Sequence, residues 1–100
     1  MTKYLVQILL PTTNAAKASS VFEDLAGELT KRFGGVTSYL RAPAEGRWLG
    51  SRQVEHDEIT VVEVMVEEIN GEFWRHLRHR LEKDLNQKEI IIRCQPLELI

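Results

Sequence analysis

Three polar residues sit at the centres of separate apolar segments and differ in chemistry: Gln7 brings an amide, Glu63 a carboxylate and Arg93 a guanidinium. Gln7 lies between Leu5 and Leu9, Glu63 between Val61 and Met65, and Arg93 two residues beyond Ile91. Side chains alternate faces along a strand, so the three point to one face of any sheet that places their segments side by side. Such a row orients a small ligand by charge and hydrogen bonding, or sits in an interface whose apolar surroundings need cover from water. Whether the three share one level depends on register, which the sequence leaves open.

Trp48, beside Arg47 and near His56, forms a second candidate group. A tryptophan on a connection lines a small-molecule pocket, anchors a partner or closes as a lid over helices. His56-Asp57-Glu58 has acid–base composition, but no nucleophile accompanies it. His76 and His79, three apart on a helical segment with His56 as a third ligand, have metal-binding chemistry. Arg75, Arg78 and Arg80 crowd them with positive charge, so the segment reads instead as a solvated basic face offset by Glu72, Glu82 and Asp84. The candidate ligand-binding residues are therefore Gln7, Arg47, Trp48, His56, Glu63 and Arg93, with no metal site and no cofactor expected.

The elements that must position these groups follow from periodicity. Tyr4 to Leu10 reads as a strand buried on most of both faces, and Pro11-Thr12-Thr13-Asn14 supplies a breaker and candidate caps for a helix. Ala18, Phe22, Leu25, Leu29 and Phe33 recur at helical spacing until Gly34-Gly35 stops them. Val36 to Leu40 is a second strand. Arg41 to Asp57 is irregular, an extended hairpin connection in which Arg47-Trp48-Leu49 pairs with later residues. Glu58 to Glu67 alternates cleanly as the third strand. Asn70 caps a second helix with the stripe Phe73, Trp74, Leu77, Leu81 and Leu85. Ile90 to Gln95 is the last strand, ended by Pro96, and Leu97 to Ile100 is an apolar tail for the sheet edge or a second subunit. The expected architecture is an α+β ferredoxin-like βαββαβ plait: an antiparallel four-stranded sheet with two helices on one face, in one domain over residues 1–100. Its core comprises Val6, Ile8, Phe22, Leu25, Leu29, Val62, Val64, Leu77, Leu81, Ile90 and Ile92.

Composition limits the function classes. An apolar share of 43% and a charged share of 28% over 100 residues are those of an ordinary soluble domain. Thirteen basic residues against 15 acidic ones argue against a nucleic-acid partner, and no stretch is long enough for a membrane span. Met1-Thr2-Lys3-Tyr4 runs directly into the first strand, which leaves no signal-peptide pattern. Cys94, the single cysteine, permits no internal disulfide and reads as core filling in a reducing cytoplasm.

The run Arg32-Phe33-Gly34-Gly35-Val36-Thr37, then Gly46-Arg47-Trp48, the Glu63-bearing strand and Asn86-Gln87-Lys88-Glu89-Ile90-Ile91-Ile92-Arg93 resemble a small bacterial family of uncharacterised function with a ferredoxin-like plait. More distantly, the element order resembles the dimeric α+β barrel group, in which two sheets pack face to face. That resemblance implies cofactor-free monooxygenases or isomerases among its members, with no catalytic residues that map onto this chain. The expectation is a cytoplasmic domain that self-associates as a homodimer through its open sheet face, with no assignable reaction. The alternative is a small-molecule enzyme or ligand sensor with a pocket between Trp48 and the sheet face.

Overall fold

A computed structural model describes residues 2–12, 15–39, 44–49 and 54–100. The elements are β1 (Thr2–Pro11), α1 (Ala15–Phe33), β2 (Thr37–Ser38), β3 (Ala44–Leu49), β4 (Val54–Val66), α2 (Gly71–Asp84) and β5 (Ile91–Glu98). β4 pairs antiparallel with β1, and β1 with β5. The other edge of β4 is shared by two segments in tandem, β2 opposite Glu63 and Val62, and β3 opposite Val54 to Ile59. The sheet therefore has four strand positions, with both helices on one face, which is the ferredoxin-like α+β plait the periodicity implies.

Capping explains where the helices begin and end. Asn70 sits in extended backbone and its Oδ1 accepts a hydrogen bond from Phe73 N at 3.2 Å, satisfying one of the free N–H groups of the first turn of α2. Gly34, at φ +88°, closes α1 in the left-handed conformation that costs glycine nothing. Asn86 takes the same role after α2 at φ 52°, and its amide tolerates that region better than most side chains. Glu82 then fastens the following turn, its Oε2 accepting from Ile90 N at 2.9 Å.

Between helices and sheet lie Val6, Ile8, Leu10, Leu25, Leu29, Val62, Val64, Val66, Trp74, Leu77, Leu81 and Ile90. Phe22 and Ile92, expected in this core, are only partly buried at its margin. Trp74 joins it because Phe33 stacks on its ring at 5.4 Å while Phe73 meets both edge-on, tying the end of α1 to the start of α2.

Three expectations need correction. Cys94 is exposed and fills no core. Its register partner is Val6, so it belongs to the helix side, but it stands on the edge strand two residues beyond Ile92, which is itself only partly buried. Pro96 does not end the last strand, which continues to Glu98 with Pro96 opposite Tyr4. An edge strand has one side without a ladder, so a residue lacking its N–H is tolerated there. Finally, β4 begins at Val54 rather than Glu58, because β3 folds back onto residues 54–59. That pairing is the one the Arg47-Trp48-Leu49 segment was expected to make. Leu40, at the end of the expected second strand, lies outside the described residues.

Candidate functional site

The open face is built by the odd-numbered residues of β1, β4 and β5. Leu5 and Leu9, Val61 and Met65, and Ile91 make an apolar field, within which Met65 is 52% and Ile91 50% exposed. Gln7 is the register partner of both Glu63 and Arg93, so the three polar residues do share one level. Their side chains are joined. Gln7 Nε2 donates to Glu63 Oε2 at 3.0 Å, and Arg93 Nε donates to Gln7 Oε1 at 2.8 Å. The amide thereby relays between a cation and an anion across three strands, with both of its ends used.

Tyr39 extends this row and was missed by sequence reasoning. Thr37 is opposite Glu63, and Tyr39 N donates to Val61 O at 3.0 Å, which brings Tyr39 to the open face two residues further on. Tyr39 is 45% exposed. A hydrogen bond to Glu63 raises the Tyr39 pKa, with the negative charge of Glu63 and slight desolvation adding to the shift. The available signal was the alternation of Thr37 and Tyr39, usable only once the pairing of β2 with β4 is known.

The other candidates lie elsewhere. Arg47 is opposite His56 and Trp48 opposite Glu55 in the β3–β4 hairpin. Seven steps along β4 take the chain from His56 to Glu63, roughly 23 Å of strand. Gln7, Glu63 and Arg93 are thus brought together, whereas Arg47, Trp48 and His56 stand on the β3–β4 hairpin, at the far end of β4 from the row. The Arg47 side chain is exposed. A cleft of about 260 Å³ opens on the helix side, lined by Leu10, Phe22, Thr60 and Leu85 with Thr12 and Glu23 among its polar groups. None of the six candidate residues lines it.

His76 and His79 are exposed on α2, and His79 Nδ1 lies 3.4 Å from Glu82 Oε1. Among the described residues, no three His, Cys, Asp or Glu side chains converge as a set of metal ligands. Also among those residues, no helix is long and apolar enough to cross a membrane.

No protein-family model matches the chain, and neither does any curated protein sequence. Solved structures do match. The periplasmic divalent cation tolerance protein CutA of Archaeoglobus fulgidus superposes with a TM-score of 0.60 at 14% identity, over 99% of this chain and 86% of that one. The fold is shared. CutA1 of Pyrococcus horikoshii (TM-score 0.56, 13% identity, 97% and 85% coverage) and CutA of Synechococcus elongatus (0.54, 11%, 99% and 78%) agree. At these identities the likeness to CutA concerns the fold alone, because one fold hosts many unrelated functions. The cation tolerance in the name belongs to the Archaeoglobus protein. In this chain the described residues show no ligand set that fits a resident metal.

Proposed function

We propose that this chain is a non-enzymatic cytoplasmic domain, a single unit over residues 1–100, that self-associates as a homodimer through its open sheet face. The observation that carries the reading is the combination on that face of half-exposed Met65, Ile91 and Tyr39 with a hydrogen-bonded polar row through their midst. Apolar field with a few fixed polar groups is the composition of an interface centre. The hydrogen bonds within the row replace part of the water that Gln7, Glu63 and Arg93 would lose on burial, which lowers the cost of covering them.

Sedimentation velocity over a range of micromolar concentrations tests this. The expected result is a species of twice the 11.5 kDa chain mass that dissociates on dilution. A single 11.5 kDa species throughout would end the proposal.

A second reading, a small-molecule enzyme or sensor, draws on the helix-side cleft rather than on a pocket near Trp48 and the sheet face, since its largely carbon lining also holds the hydroxyls of Thr12, Ser19 and Thr60 and the Glu23 carboxylate. A melt against a metabolite panel addresses it, because a ligand of the native state raises the midpoint. No midpoint shift with any compound would remove its support.

A further inference from the structure

The polar row has a direction. From β5 to β4 it runs from the Arg93 cation through the neutral Gln7 amide to the Glu63 anion. Its middle is used up, but its ends are not. Arg93 gives Gln7 only its Nε–H, and its Nη groups meet no acceptor among the described residues. A guanidinium carries five donors and a carboxylate about four acceptor sites, so Glu63 also keeps capacity after its bond from Gln7. Two unspent groups of opposite sign thus stand two strand spacings apart, roughly 9.5 Å, within an apolar surface.

We propose that the molecule covering this face is a second copy, docked about a two-fold axis parallel to the strands, so that Glu63 of each protomer meets the partner's Arg93. This rests on self-association through the same face and adds the orientation. In the aligned class of face-to-face packing the strand directions stay within about 30° of each other, and a closed pair of identical copies is isologous, which gives two aligned arrangements. An axis running along the row places Glu63 on the partner's Glu63 and Arg93 on the partner's Arg93, two like-charge contacts in a desolvated layer. An axis parallel to β1 and passing over Gln7 reverses the row of one copy relative to the other. It sets β4 over the partner's β5, and both charged contacts become attractive. Like-charge juxtaposition at an interface is penalised more strongly than opposite charges are rewarded, so the row selects the second arrangement.

The test uses Glu63→Lys, Arg93→Glu, the double variant, and an equimolar mixture of the two single variants, all followed by sedimentation at low salt with thermal melts to verify folding. Each single variant places two like charges in contact and is expected to associate at least about tenfold more weakly than the wild type. The double variant and the mixture restore opposite charges and are expected to recover association. The mixture is decisive against a purely intramolecular role, since every chain in it still carries a broken row. Single variants that associate as well as the wild type would overturn the orientation while leaving self-association standing. So would weakened single variants that neither the double variant nor the mixture rescues. A wild type that stays monomeric would remove the reading beneath both. Where a charge reversal prevents folding, Glu63→Gln and Arg93→Gln remove the attraction alone. Each must then weaken association, and unchanged association would overturn the orientation.

Discussion

Ile90 and Ile91 are neighbours in sequence, yet one is 1% and the other 50% exposed. They report the two sides of one sheet. The helix side is closed by α1 and α2, whose stripes of Leu25, Leu29, Trp74, Leu77 and Leu81 meet Val6, Ile8, Val62 and Val64. The open side has similar residue types, Leu5, Leu9, Val61, Met65 and Ile91, without a layer above them. What distinguishes them is the polar row. The covered side holds little polarity, Thr60 being its buried polar residue, whereas the open side carries an acid, an amide and a base tied together. A face designed only to meet water would not keep five large apolar residues around three polar ones, and a face designed only as core would not keep the charges.

The contrast is broken most severely at Ile90. Ile90→Ala leaves a cavity under α2 and is expected to lower stability by about 2–5 kcal/mol in urea denaturation, whereas Ile91→Ala, measured below the association concentration, costs under about 1 kcal/mol. Equal losses would mean that the open face is as well packed within one chain as the covered one. Next in size is Gln7→Leu, which strands Glu63 and Arg93 without their relay. A loss of about 0.5–1.5 kcal/mol is expected, and a gain in stability would show that the row does not help the isolated chain.

The smallest effect is spectroscopic. The Glu63 carboxylate favours the neutral Tyr39 phenol, so phenolate absorbance from Tyr39 emerges at higher pH than for an ordinary tyrosine, and Glu63→Gln brings it back down. With the folded-state pKa raised, the stabilisation from this bond is complete below the ordinary tyrosine pKa and is lost as pH rises through the raised value. Tyr39 titration that ignores the Glu63 substitution would detach it from the row.

Much of the framework was legible because local signals agreed. Alternation marked β1 and β4, Asn70 announced α2, and Gly34 stopped α1, each through a constraint acting within a few residues. Gln7, Glu63 and Arg93 could be assigned to one face by period alone. That they share one level could not, because register is fixed by contacts between residues 56 and 86 positions apart. Cys94 was misjudged for a related reason, since its alternation gives its side of the sheet but not how far the helices extend over that side. Pro96 stopped the strand only on the assumption that its N–H was needed. Residue type alone allows a pocket between Trp48 and the sheet face, and only the β3–β4 pairing reveals the length of strand between Arg47, Trp48 and His56 and the row.

The most direct measurement is the mass of the wild-type chain by sedimentation equilibrium at micromolar concentration and low salt. A dimer of twice 11.5 kDa that dissociates on dilution is the predicted result. A monomer of 11.5 kDa at every concentration and salt level would contradict the assignment of the open face to a second copy.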